Sequence, residues 1–157
     1  MLLTWPVDTV WRITSPYGER VHPVTGIRTF HSGIDIGCPE GTPIFAPCPG
    51  ICMDIWNDEK HGGGLSMRWR GYLVRDGKEH EVRFGFAHLL KVDDAVVNKR
   101  SQWRKAGTLL AYSGGVPGTP GAGRSTGAHL HMTLYIDGNR VDPCDVSNWN
   151  VVLRGGK

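Results

Sequence analysis

In the stretch Gly127-Ala128-His129-Leu130-His131-Met132-Thr133-Leu134-Tyr135, two histidines stand one residue apart inside a run that reads as a β-strand. Side chains alternate faces along a strand, so His129 and His131 point one way and Leu130 and Met132 the other. Paired imidazoles on a polar face do little for a sheet, but they place a metal ligand beside a proton-transfer group. An isolated His-x-His is more often a pair of surface histidines on an edge strand; the rest of the chain shifts that balance. His31 and Asp35 lie four apart in His31-Ser32-Gly33-Ile34-Asp35-Ile36. A straight strand would hold them about 13 Å apart, too far to share an ion, whereas a bend at Gly33 brings them towards one point. One nitrogen from the His129/His131 strand then completes three N/O ligands. Three protein ligands with water in the fourth position describe a catalytic zinc site; a structural site would be closed by four. A donor set without thiolate also admits other divalent ions, with zinc the leading choice.

His88 is a further candidate. It ends the alternating run Phe84-Gly85-Phe86-Ala87-His88-Leu89, at a position suited to the rim of a groove. Taken alone, a strand-end histidine bonded to backbone is its commoner explanation. His22, His61 and His80 sit in loops or on a solvated strand and are assigned no role.

The elements that must position these residues are short. A chain of 157 residues with 22 glycines and 10 prolines fits one domain, residues 1–157, of a mainly β fold: antiparallel sheet, a loop-walled groove and few short helices. The core spans about residues 15–143, preceded by an apolar lead-in with Trp5 and Trp11 and followed by a short polar tail. Strands are expected at 43–46, 50–56, 65–70, 72–75, 79–88 and 108–112, and within the His129/His131 stretch 127–135. Asp76-Gly77 and Asp137-Gly138 form the hairpin turns. Turns and loops fill 15–26, the segments 43–46 and 50–56 are joined by Pro47-Cys48-Pro49, and 89–105 is an irregular connection with room for a helical turn. The Gly/Pro-rich stretch from Ser113 to Gly127 is long enough that a functional role is a fair default.

The net charge of +3, with no basic block or stripe, gives no nucleic-acid footprint, while a mild positive excess suits an anionic surface such as a bacterial wall. Cys38, Cys48, Cys52 and Cys144 form no paired framework; a structural zinc site of four thiolates is conceivable, but Cys48 and Cys52 border an apolar run and are read instead as buried thiols acting as small apolar residues, made in a reducing compartment. No run approaches transmembrane length, and the N-terminus lacks the basic and apolar regions of a signal peptide.

Together the motifs resemble the lysostaphin-like (LytM-type) zinc endopeptidases that cleave bacterial peptidoglycan. The likeness is carried by Tyr17-Gly18-x-Arg20-x-His22-Pro23-x-x-Gly26, by His31-x-Gly33-x-Asp35-Ile36, and by Gly41-Thr42-Pro43-Ile44-x-Ala46-Pro47-x-x-Gly50. It continues through Phe86-Ala87-His88-Leu89 and Lys105-x-Gly107-x-Leu109-x-x-Tyr112-Ser113-Gly114. It closes on Gly123-Arg124-Ser125-Thr126-Gly127-x-His129-Leu130-His131. The resemblance implies one zinc ion held by His31, Asp35 and His131, with His129 and His88 as the unligated catalytic histidines. It leaves open which of the two is the general base. Tyr17, Arg20 and Arg124 are the candidate substrate-binding residues, and stem or cross-link peptides the substrates. Met132-Thr133, where the family often has an aromatic residue and Glu, and Phe86, where it often has Tyr, are departures that bear on substrate preference. So are the long segments 89–105 and 114–122.

A non-catalytic wall-binding, regulatory or virion structural module is the main rival, but such a module would be expected to have lost ligands. A zinc carboxypeptidase of another wall-hydrolase type would need a longer His to Asp spacing and a downstream Glu-x-x-His, which the chain lacks. The remaining expectations are a monomer, made in the bacterial cytoplasm as a phage lysin or virion-associated peptidase and acting on the wall. A secreted hydrolase with its leader removed would read the same way.

Overall fold

The computed structural model describes residues 3–22, 25–60 and 62–145; Pro23, His61 and the polar tail lie outside the described residues. Its centre is the hairpin of β7 (Gly64–Arg75) and β8 (Lys78–Ala87). The turn between them has Asp76 at φ 53° and Gly77 at φ 73°, the left-handed pair that a tight hairpin needs. The same geometry at Asp137 and Gly138 joins β11 (Leu130–Ile136) to β12 (Asn139–Val141). Both hairpins fall where the Asp-Gly pairs put them.

With β1 (Arg12–Ser15), β4 (Ile34–Gly37) and β6 (Gly50–Asp58), these strands form a seven-stranded sheet. Its order is β1-β4-β11-β8-β7-β6, with β12 also pairing β11 and every pairing antiparallel. One edge of β11 runs along β8; the other meets β4 over Leu130–Met132 and β12 over Leu134–Ile136. β5 (Pro43–Phe45), β10 (Leu109–Ser113) and β9 (Leu89–Val92) make a second sheet, and β2 (Gly18–Val21) pairs with β3 (Arg28–His31).

Two local expectations need correction. Residues 15–26 are not only turns, because strand β2, paired with β3, takes up 18–21. The runs 43–46 and 50–56 are strands as expected, and they belong to different sheets. The segment 89–105 opens with strand β9, whose Leu89 and Val92 are buried while Leu90 and Lys91 face out. It continues into the short helix α1 (Asp94–Asn98), capped by the Asp93 carboxylate on the Ala95 amide and anchored by buried Val96. Its charged residues disguise how few apolar contacts such elements need.

One face of the large sheet is core: Met67, Trp69 and Leu73 on β7, Val82, Phe84 and Phe86 on β8, Leu130, Met132 and Leu134 on β11. Leu3, Trp5 and Val7 of the lead-in are buried with them. Cys38, Cys48 and Cys52 are buried, and all four cysteines are free thiols. Burial pushes the Cys48 thiol up to about 12 and Cys52 to about 11, so both behave as the small apolar side chains expected. No helix among the described residues is long and apolar enough to cross a membrane.

Candidate metal centre and cleft

The residues alternating with the core make the floor of a cleft of about 610 Å³: His131, Thr133 and Tyr135 on β11, Arg83, Gly85 and Ala87 on β8, Ser66 and Arg68 on β7. Walls come from Arg20 on β2, from Gly62 and Gly63 before β7, and from Arg124, Ser125 and Thr126 of the loop before β11.

At one end of this floor the donors meet. Asp35 and His131 are register partners across β4 and β11, and β3 delivers His31 from the side. One donor atom from each of His31, Asp35 and His131 lies within 4.8 Å of the others. Nδ1 of His131 is 2.9 Å from Oδ1 of Asp35 and 3.3 Å from Nε2 of His31, which is itself 3.3 Å from that Oδ1. The expected bend falls at Gly33, and the residue also has a second job. Its φ is not in the left-handed region, but a Cβ there would run into the Met132 carbonyl oxygen of β11. The segment carrying His31 and Asp35 can lie against β11 only because residue 33 has no side chain.

The rear nitrogens of three histidines are fixed by backbone carbonyls. Nδ1 of His31 faces the Pro16 carbonyl at 2.8 Å, that of His129 the Gly127 carbonyl at 2.7 Å, and that of His88 the Ala122 carbonyl at 2.8 Å. A carbonyl can only accept, so each Nδ1 carries the proton and each Nε2 is left as the basic nitrogen. The His88 and His129 rings are tilted at 50° to each other with centroids 4.7 Å apart, and the His88 centroid is 6.1 Å from that of His131. Two nitrogens and a carboxylate oxygen, with the His31 ring oriented from behind, are a donor set for a divalent ion with an open position.

The electrostatics agree. Burial works against the Asp35 carboxylate, but hydrogen bonds from His131 and His31 outweigh it and hold Asp35 well below the usual carboxylate range. The Asp35 contact raises His31 above its ordinary value, against its burial. For His88 burial dominates and lowers the value despite the Ala122 carbonyl, so this imidazole stays neutral.

Of the candidate substrate-binding residues, Arg20 and Arg124 line the cleft, and Arg20 Nη1 also donates to Ser15 Oγ at 2.8 Å. Tyr17 does not: its ring packs edge-on against Phe30 with centroids 5.1 Å apart. His22 and His80 stand away from the cleft, His80 on the Asp137 carboxylate at 2.6 Å.

Sequence reasoning missed Glu59. Its carboxylate accepts from the Gly121 amide at 2.9 Å and the Gly123 amide at 3.0 Å, clasping the turn whose Ala122 carbonyl orients His88. His88 itself sits at φ 59°, rare for a non-glycine residue, with its amide on the Gly63 carbonyl at 2.6 Å. No local pattern marks Glu59. Arg68 and Arg83 were also passed over, although strand alternation against Trp69 and Phe84 places both on the cleft face.

An antiparallel sheet carrying this donor set, with two spare imidazoles beside it, defines a metal-dependent peptidase domain. The chain belongs to peptidase family M23, whose sequence pattern it matches over residues 29–143. It is 32% identical, over 87% of its length, to the DD-carboxypeptidase/endopeptidase Mpg of Neisseria meningitidis, of which it covers 27%. Among solved structures it resembles a zinc-containing peptidase from Vibrio cholerae, with a TM-score of 0.73 and 27% identity over 94% of this chain and 40% of that one. It also resembles the catalytic domain of lysostaphin from Staphylococcus simulans, with a TM-score of 0.61 and 25% identity over 85% of this chain and 90% of that one. The chain spans about a quarter of the length of the curated relatives it matches.

Proposed function

We propose that this protein is a zinc-dependent endopeptidase that hydrolyses peptide bonds in the cross-links or stem peptides of bacterial peptidoglycan. The observation that carries the reading is the convergence of His31, Asp35 and His131 within 4.8 Å at the end of a cleft that also holds His88 and His129. His31 through Nε2, Asp35 through a carboxylate oxygen and His131 through Nδ1 would hold the ion. When bound, zinc supplies Lewis acidity towards a carbonyl and makes water a nucleophile near neutral pH.

The remaining work falls to the chain. Oδ1 of Asp35 lies 3.6 Å from Nε2 of His129, so a proton gained there faces a carboxylate. Burial disfavours a charged His88. His129 is therefore assigned as the base that takes the proton of the attacking water and returns it to the leaving amine. His88, protonated on Nδ1, accepts through Nε2 and orients the water. Glu59 acts behind His88, so Glu59→Ala is expected to lower kcat by about 10- to 100-fold, the scale on which lost outer partners cost activity, with zinc content unchanged. Elemental analysis alongside a peptide-cleavage assay checks this.

The retained donor set and both partner histidines support catalysis over a purely wall-binding module. Bacteriolytic action is the finer reading, since loss of enough cross-links lyses a cell. Mass spectrometry of fragments released from walls of different cross-link chemistry, with turbidity followed in parallel, tests both. New peptide ends abolished by a chelator and restored by zinc are expected; intact walls, or cleavage indifferent to the chelator, would sink the proposal.

A further inference from the structure

The cleft carries more positive charge than the chemistry above uses. Arg20, Arg68, Arg83 and Arg124 line it, and Asp35, already committed as a donor, is the acidic side chain among the described lining residues. Arg68 and Arg83 stand apart from the loop arginines because regular sheet positions them. Arg68 is the register partner of Gly85, which pairs in turn with Thr133; Arg83 is the partner of Tyr135. Neighbouring strands lie about 4.8 Å apart and residues about 3.3 Å apart along a strand. The Arg68 and Arg83 backbones are therefore roughly 12–14 Å from that of His131, a span of about four residues of extended peptide.

We propose that Arg68 and Arg83 form a carboxylate-binding subsite that selects cross-link peptides bearing a free carboxylate near the scissile bond over uncharged bridges such as oligoglycine. The proposal rests on the endopeptidase reading and names its substrate class.

Both guanidiniums are held but not used up. Arg83 is anchored through Nε to the Glu81 carboxylate at 2.7 Å, and its two terminal nitrogens have no partner among the described residues. Arg68 keeps one terminal nitrogen 3.3 Å from Asp54 and lies over the Trp56 ring, 5.3 Å from its centre. A planar guanidinium fixed on one side offers its other donors as a fork that matches a carboxylate. Between the arginines and the donor end lies Gly85, where a side chain would collide with Thr133 Oγ1. The floor is thus lowest where a peptide would pass from the donors to the arginines. A phosphate polymer of the wall presents similar charge, but a subsite continuous with the donor end in one cleft favours an anion on the cleaved peptide itself.

The test uses two synthetic cross-linked peptides identical except that the carboxylate beside the scissile bond is free in one and amidated in the other, with an oligoglycine peptide as a third substrate. The zinc-loaded protein is expected to favour the free carboxylate by about tenfold or more in kcat/KM, the scale of a charge-assisted hydrogen bond. Arg68→Gln and Arg83→Gln should each erode that ratio chiefly through KM, and Arg83→Lys should keep part of it. Equal cleavage of free and amidated peptides by the parent protein overturns the proposal. So does a parallel fall on both peptides in the variants, or competition by a wall phosphate polymer without carboxylate discrimination. Cleavage of none of the three would instead overturn the endopeptidase reading beneath it.

Discussion

His131→Ala is expected to lose both zinc and turnover, whereas His129→Ala keeps the ion and loses turnover by about 10²- to 10⁴-fold, the usual contribution of a positioned acid–base group. The two histidines share a face of one strand end, so sequence spacing treats them alike; their surroundings do not. His131 places Nδ1 at 2.9 Å from Asp35 and 3.3 Å from Nε2 of His31, inside the donor triangle. His129 turns Nδ1 to the Gly127 carbonyl, with Ser125 Oγ at 3.3 Å, and leaves Nε2 near the triangle rather than in it. Removing His131 deletes a donor and leaves two, too few for a stable site with one open position. Removing His129 deletes the proposed proton carrier and leaves the three donor side chains in place. Metal content by elemental analysis, with cleavage rates on the same samples, separates the outcomes. Zinc loss in His129→Ala together with retention in His131→Ala would exchange the two assignments.

How much of this was legible follows from which interactions are local. The Asp-Gly turns and the alternation of Val82, Phe84 and Phe86 with Arg83, Gly85 and Ala87 are fixed by a few adjacent residues, so the β7–β8 hairpin could be read directly. The alternation around His129 and His131 likewise put both imidazoles on one face. That His31 and Asp35 meet that face depends on β4 pairing with β11 across some hundred residues. The spacing required a bend and the motif resemblance supplied the rest. The bend at Gly33 was legible, but the close approach it permits was not, because the backbone it must clear, at Met132, is remote in sequence. Glu59 was invisible for the same reason: its partners are backbone amides of Gly121 and Gly123, and amides carry no residue signature. Tyr17 shows the converse: a motif position does not say whether a ring faces the cleft or packs, as this one does, on Phe30. Strand β9 was lost because its two outward residues, Leu90 and Lys91, interrupt the apolar pattern.

The second large effect is expected from acid. The proton that competes with the ion at His31 enters at Nε2, since Nδ1 is already spent on the Pro16 carbonyl. Nε2 faces Asp35 at 3.3 Å, and that contact raises the His31 value above the ordinary one in the metal-free protein. Asp35, held well below the usual carboxylate range, stays ionised throughout and contributes no titration of its own here. The sign is therefore definite: protonated His31 predominates below its raised value, so metal affinity falls as the pH drops through it. The fall is roughly tenfold per unit of pH for each ligand histidine that must shed a proton. His88 does not set this limb, because burial lowers its value and keeps it neutral further into acid. Activity measured at fixed low zinc should decline steeply below neutrality. Raising free zinc tenfold should move the midpoint towards acid by about one pH unit where one proton competes with one ion. A midpoint that ignores zinc concentration would place the controlling proton on a histidine outside the donor set, and the pairing of His31 with Asp35 would then have no part in the pH response.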